Sequence, residues 1–74
     1  MRDALGFRAL AMLCAGEGAD VRYVADTRGH LRFVQLYDGA SVMTHWGDTL
    51  LDAVRAAAVH IGRDDVVLWC DSQG

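Results

Sequence analysis

Two turn signals close together in the middle of the chain constrain its fold more than any other feature. Residues 27–29 (Thr-Arg-Gly) suit a three-residue hairpin loop with glycine in the left-handed conformation, and Asp38-Gly39 suits a two-residue type I′ turn. Loops this short connect strands that are neighbours in an antiparallel sheet. The sequence therefore predicts an antiparallel three-stranded meander, with strands at 21–26, 30–37 and 40–46.

The loop lengths also predict which residues share a face of the sheet. They place residue 25 opposite 31 and residue 33 opposite 44, and directly opposed residues lie on the same face. The predicted inner face carries Val21, Tyr23, Ala25, Leu31, Phe33, Gln35, Tyr37, Val42, Thr44 and Trp46. The predicted outer face has an apolar centre with basic residues around it, comprising Val24, Val34, Leu36 and Met43 with Arg22, Arg32 and His45. This outer face is either covered by the first helix or a binding surface.

Helices are predicted on both sides of the meander in sequence. Capping and glycine signals predict helices over 3–15 and 49–61, the second capped by Asp48 or Thr49. Residues 66–70 alternate too little for a strand with one solvated face, which predicts an interior strand. The predicted fold class is two-layer α+β in the order α-β-β-β-α-β, an antiparallel three-stranded meander plus a C-terminal strand.

Length and charge limit what the chain can bind. Its 74 residues predict a single small domain, 1–74, which can bury only about 60% of the surface of the unfolded chain, so a partner or second copy would add stability. Seven basic and ten acidic residues give a net charge of −3, which disfavours direct nucleic-acid binding because such binding needs clustered cations. No apolar run approaches the roughly 20 residues that span a bilayer, so no membrane partner is expected.

No pattern of catalytic or metal-binding residues stands out. Cys14 and Cys70 fit neither a metal-ligand spacing nor a disulfide framework, and we interpret them as buried thiols in a reducing cytoplasm, with a disulfide as the alternative. His45 and Asp48 are close in sequence, but Asp48 already suits a helix cap. Neither cysteine has the surroundings of a nucleophile. We therefore predict no cofactor, no metal site and no enzymatic activity.

Two groups of residues predict a protein partner instead. Arg32, Val34, Met43 and His45 belong to the predicted outer face, and arginine and methionine are enriched at protein interfaces. Asp48, Asp52, Asp64 and Asp65 lie at the two ends of the second helix and would attract a basic partner electrostatically. The alternative interpretation of the acidic residues is a solvated rim with helix caps.

The start of the second helix resembles a known family. Residues 47–53 (Gly-Asp-Thr-Leu-Leu-Asp-Ala) are similar to the Gly-Asp-Thr-Leu-x-Glu-Ala start of a helix in the HicB antitoxin N-terminal domain, with Asp52 in place of the glutamate. The predicted order β-β-β-α-β over 21–70 also resembles the ribonuclease-H-like fold of that domain. The resemblance implies a module that neutralises a small basic RNase toxin by binding it.

Together these features predict a non-catalytic protein-binding module. We expect an acidic inhibitor of a nucleic-acid-handling protein, either antitoxin-like or of the bacteriophage anti-defence (anti-CRISPR) type, acting in the cytoplasm. A composition rich in alanine and without lysine is typical of GC-rich bacterial or bacteriophage genomes. The alternative is a homodimeric structural or scaffold subunit with no inhibitory role.

Overall fold

A computed structural model of the chain describes residues 4–16, 21–26, 33–38 and 41–73, which form three helices and three strands. In chain order these are α1 (Ala4–Ala15), β1 (Val21–Asp26), β2 (Phe33–Asp38), β3 (Ser41–Trp46), α2 (Leu50–Ile61) and α3 (Asp64–Gln73). The strands form one antiparallel sheet in the order β1-β2-β3. Within the described ranges, no helix has the length and apolar character needed to cross a membrane.

Helix α2 lies at the centre of the fold. Its N-cap is Thr49, whose hydroxyl accepts a hydrogen bond from the Asp52 N–H at 3.1 Å. It ends at Gly62, whose φ of 76° is the left-handed conformation that glycine adopts without steric cost. One side of α2 packs on β2 and β3, and α1 and α3 pack on the remainder. The core therefore surrounds α2 and consists of Ala9, Leu13, Val34, Leu36, Leu50, Ala53, Val54, Ala57, Ala58, Val66 and Cys70.

Helix α1 approaches α2 closely through small residues. Gly6, Ala9 and Leu13 are its buried positions, and a Cβ at Gly6 would lie 2.6 Å from the Cβ of Leu50. Cys14, which was predicted to be buried, is exposed. It lies outside the face of α1 that Gly6, Ala9 and Leu13 form. Cys70 is buried on α3, and the two cysteines do not form a disulfide.

The predicted fold class is wrong at the C-terminus, where α3 replaces the predicted strand at 66–70. The element order is α-β-β-β-α-α. Val66 and Cys70, four residues apart, are the buried positions of α3, whereas Leu68 between them is 69% exposed. This spacing has the period of a helix, and a short apolar segment does not distinguish a strand from a buried helix by itself.

The predicted register of the sheet is also wrong. Ala25 pairs with Val34 rather than with residue 31, because six residues, 27–32, separate the last pair of β1 and β2, Asp26 and Phe33. Phe33 pairs with Trp46 rather than with residue 44, because the two residues joining β2 to β3 are 39 and 40. A two-residue loop that begins with glycine is also favoured in hairpins.

The two faces of β2 and β3 are exchanged relative to the prediction. Val34 and Leu36 have relative exposures of 0% and 4% and lie in the core with α2, not on an outer face. Helix α2 covers them, whereas the two alternatives for that face were coverage by α1 and a binding surface. The aliphatic face of β2 packs against the apolar stripe of α2, because this buries branched side chains on both elements without burying polar groups.

Candidate protein-interaction surface

The sheet has one face on the side away from α2. This face, which we call the open sheet face, is formed by alternate residues of β2 and β3. Phe33, Gln35, Tyr37 and Thr44 on it are half-buried, and Val42 and Trp46 are 49% and 57% exposed. Among the described residues, the helix that packs on β2 and β3 lies on the opposite side. The open sheet face therefore presents aromatic and aliphatic surface to solvent. Its residues are Phe33, Gln35, Tyr37, Val42, Thr44 and Trp46.

Side-chain contacts hold the open sheet face in a defined arrangement. The Phe33 and Trp46 rings, which belong to a directly opposed pair, have centroids 5.0 Å apart and planes inclined by 46°. Gln35 donates a hydrogen bond from Nε2 to Thr44 Oγ1 at 3.3 Å, and its Oε1 accepts one from the Tyr37 hydroxyl at 2.9 Å. These contacts reduce the conformational entropy that the side chains lose when a partner binds.

The predicted outer-face residues differ in how far they are exposed. Val34 is buried under α2 and is unavailable to a partner. His45 is half-buried on the same side of the sheet as Val34, its cross-strand neighbour, and Met43 is 45% exposed there at the edge of the sheet. Arg32 lies outside the described residues. The placement of Val34 on an exposed outer face is therefore wrong, because α2 occupies that side of the sheet, whereas a role of Arg32, Met43 and His45 in binding stays a prediction.

The sequence contained a signal for the open sheet face that the prediction did not use. Gln35 alternates with Val34 and Leu36 along β2, and Thr44 on β3 lies opposite Gln35. The face that carries these polar side chains is therefore the less suitable one for a core. Trp46 has an indole N–H that needs a polar partner, and such rings are enriched at interfaces where one side remains solvated.

A histidine pair lies between β3 and α2. The rings of His45 and His60 have centroids 5.0 Å apart, and the Nε2 atom of His45 is buried without a hydrogen-bond partner among the described residues. Burial and, secondarily, the nearby His60 lower the pKa of His45 below its ordinary 6.5. His45, which the sequence grouped with Asp48 as a weak metal candidate, is therefore held neutral by its surroundings. No cluster of three metal-ligating side chains occurs in the part of the chain that the structure describes.

The lowered pKa of His45 predicts that the domain loses stability as the pH falls through about 6.5. The unfolded chain takes up a proton at the ordinary pKa, whereas the folded chain resists protonation until a lower pH, so acid favours unfolding. Thermal melting between pH 8 and pH 5 measures the effect, and His45→Phe should reduce the pH dependence in this window. Asp65 and Asp71 do not interfere, because their pKa values are lowered below 3.8. An equal acid sensitivity in the parent and His45→Phe would contradict the assignment.

The four predicted acidic residues fall into two separate groups. Asp48 and Asp52 are exposed at the start of α2. Asp52 lies close to Gly47, since a Cβ added to Gly47 would be 2.6 Å from the Cβ of Asp52. Asp64 and Asp65 are exposed at the start of α3, beyond the other end of α2. A twelve-residue helix is about 18 Å long, so the two groups do not form one continuous acidic surface.

Arg63 compensates the charge of one member of the second group. Its guanidinium donates to both carboxylate oxygens of Asp65 at 3.0 Å and to the backbone carbonyls of Leu13 and Met12 at 3.0 and 3.2 Å. The hydrogen bond from Arg63 is the main reason that the pKa of Asp65 is lowered. Gly16 leaves room for this guanidinium, since a Cβ there would overlap it. Asp65 of α3 is thus linked to α1 through the side chain of Arg63.

Comparison with other proteins neither supports nor contradicts the resemblance of residues 47–53 to the HicB domain. The hydrogen bond between Thr49 and Asp52 shows that part of this segment is an N-terminal helix cap, a structure that arises in many unrelated proteins. The role implied by the resemblance stays a prediction. No family model matches the chain, and no curated protein or solved structure is significantly similar to it.

Proposed function

We propose that this chain is a non-catalytic module that binds and inhibits a basic, nucleic-acid-handling protein in the cytoplasm. The observation that carries the proposal is the open sheet face, where Trp46 and Val42 are about half exposed on a surface whose polar side chains are already hydrogen-bonded to one another. An exposed apolar patch of this kind on a small domain is typical of a protein contact. Aromatic anchors supply much of the binding free energy in such contacts.

The charge of the chain supports a basic partner. The net charge is −3, and Asp48 follows Trp46 by two residues, so their Cα atoms are no more than about 7 Å apart. Asp48 and Asp52 therefore lie close to one end of the open sheet face, whereas Asp64 and Asp65 lie beyond the far end of α2. We assign the electrostatic attraction of the partner to the first two carboxylates, which would compete for cationic groups that otherwise contact phosphates.

Replacing Trp46 with Glu is expected to abolish capture of the partner. The substitution removes a large aromatic anchor and places a carboxylate on the apolar surface, and loss of such an anchor weakens binding by about 30-fold or more. The immobilised chain is incubated with bacterial lysate, and the captured proteins are quantified by mass spectrometry. The proposal expects a basic nucleic-acid-handling protein, whose activity on nucleic acid falls when the purified chain is added.

Leu68→Glu is the matched control for Trp46→Glu. Leu68 is also an exposed apolar residue, at 69%, but it lies on α3, away from the sheet. The proposal expects Leu68→Glu to capture the partner as the parent does. Equal capture by Trp46→Glu, with circular dichroism showing both variants folded, would place the contact elsewhere.

The role of the acidic residues is tested by association rates. Asp48→Asn with Asp52→Asn should slow association and weaken its dependence on salt, since these carboxylates attract the partner through the solvent. Asp64→Asn is the control and should change the rate little. The alternative function, a homodimeric scaffold, expects a tight dimer in light scattering that captures no partner.

A further inference from the structure

Among the strands that the structure describes, β3 forms one edge of the sheet, and its sequence lacks residues that prevent edge strands from pairing. Residues 41–46 contain no charged residue and no proline. Natural edge strands are usually protected by such residues or by irregular pairing. The pairing of β3 with β2 runs without interruption from Ser41 to Trp46.

Both faces of β3 carry exposed apolar side chains. Val42 and Trp46 are 49% and 57% exposed on the open sheet face, and Met43 is 45% exposed on the side of α2. A binding partner that covered only one face of the sheet would leave part of this surface in water. A strand added beside β3 would contact all three side chains, because its own side chains alternate between the two faces.

The hairpin determines which backbone groups of β3 point away from the sheet. Residues in an antiparallel pair alternate between hydrogen-bonded and non-hydrogen-bonded positions, and the pair that closes a two-residue hairpin is hydrogen-bonded. That pair is Asp38 and Ser41. The backbone N–H and C=O groups of Val42, Thr44 and Trp46 therefore point toward the open edge, where another strand can bond them.

We propose that β3 pairs with β3 of a second copy of this chain, antiparallel, across a two-fold axis at Thr44. In this register Thr44 faces Thr44 of the other copy, and Val42 faces Trp46. All three residues with outward backbone groups then pair with one another. On the α2 side Met43 faces the imidazole of His45, so two apolar side chains meet directly on the open sheet face alone. The two sheets become one six-stranded sheet, with both open sheet faces on the same side.

A second copy is favoured over other extended peptides because β3 is complementary to itself in this register. No like charges are brought into opposition within the strands, since residues 41–46 are uncharged. The contact is made by one six-residue strand from each copy. A standard interface buries about 800 Å² per partner, which would be roughly a sixth of the 4805 Å² surface of this chain, and we expect a single pair of strands to bury less. We therefore expect a weak dimer whose population depends on concentration.

A charge exchange at Thr44 tests the proposed pairing. Light scattering and sedimentation of the parent, from about 1 μM to about 1 mM, should show a monomer becoming a dimer. Thr44→Lys and Thr44→Glu should each weaken the dimer by roughly tenfold, because like charges then face each other directly. A mixture of the two variants should form a heterodimer, since lysine then faces glutamate. Val59→Lys, at a 56% exposed position of α2, is the control and should dimerise as the parent does.

Amide hydrogen exchange distinguishes edge pairing from packing of the open sheet faces against each other. The proposal expects the amides of Val42, Thr44 and Trp46 to become protected as the concentration rises, while those of Met43 and His45 are protected throughout. This measurement uses the parent chain and does not depend on the folding of any variant. A parent that stays monomeric to about 1 mM, or a dimer without protection at these three amides, would overturn the proposal.

Discussion

Val34→Glu is expected to unfold the domain. Val34 has no exposed surface and lies in the core between β2 and α2, so the substitution places a carboxylate out of contact with water, beside a His45 side chain whose lowered pKa favours the neutral form. An uncompensated buried charge costs about 3–5 kcal/mol, and a chain of this length has only about 4–10 kcal/mol of folding free energy. Urea unfolding followed by circular dichroism measures the loss. The sequence-based prediction placed Val34 on an outer face, a position that would tolerate a charge if no element covered it.

Val42→Glu is the control for this experiment. Val42 is on the next strand of the same hairpin but on the open sheet face, with 49% of its surface exposed. Its carboxylate can remain in water, so the free energy of unfolding should change by less than about 1 kcal/mol. A folded Val34→Glu variant would show that α2 does not cover Val34, and unfolding of Val42→Glu would show that the open sheet face is not exposed as described here.

Gly6→Ala is expected to destabilise the domain although alanine favours helices. A Cβ at this position would lie 2.6 Å from the Cβ of Leu50 and 2.9 Å from the backbone nitrogen of Leu51, so α1 must move away from α2. Overpacking in a core costs about 1–3 kcal/mol, which exceeds the gain in helix propensity of up to about 1 kcal/mol. The free energy of unfolding in urea should therefore fall, and the contacts of Ala9 and Leu13 should loosen with it.

Gly62→Ala separates this steric effect from a backbone effect. Gly62 has positive φ and no atom within 4 Å of an added Cβ, so its substitution costs only the strain of the left-handed conformation, about 1 kcal/mol. We expect the Gly6 variant to be the less stable of the two. Leu50→Ala in the same chain should not restore its stability, because alanine keeps the Cβ atom that the substitution at Gly6 meets and leaves a cavity in the core.

Local signals predicted some elements of this fold and failed on others for identifiable reasons. The cap at Thr49 and the stop at Gly62 depend on neighbouring residues alone, so the sequence indicated where α2 begins and ends. The predicted strand at 66–70 failed because tertiary packing on α2 decides whether a short apolar segment becomes a strand or a helix. The predicted register of β1 against β2 also failed. The paired strands are separated by six residues, 27–32, whereas the predicted turn contained three.

The candidate site illustrates why an error of register matters in a sheet. Alternation correctly grouped Val34 with Met43 and Phe33 with Trp46, because those relations are fixed within the β2–β3 hairpin. Which group faces the core is decided by α2, a separate element whose position the hairpin does not determine. The acidic residues and their division between the two ends of α2 were identifiable from the sequence, but the pairing of Asp65 with Arg63 required the three-dimensional arrangement.

The contacts of Arg63 have a consequence for the order in which the chain folds. The guanidinium reaches the carbonyl groups of Leu13 and Met12 across 50 and 51 positions of sequence, whereas the strands and the last two helices contact near neighbours in the chain. Contacts between distant residues require closing a long loop, so they form after local ones. We therefore expect helix α1 to dock last on a preformed assembly of sheet, α2 and α3, and to be the first element to detach, which would briefly uncover Leu50 and the flank of α2 to solvent.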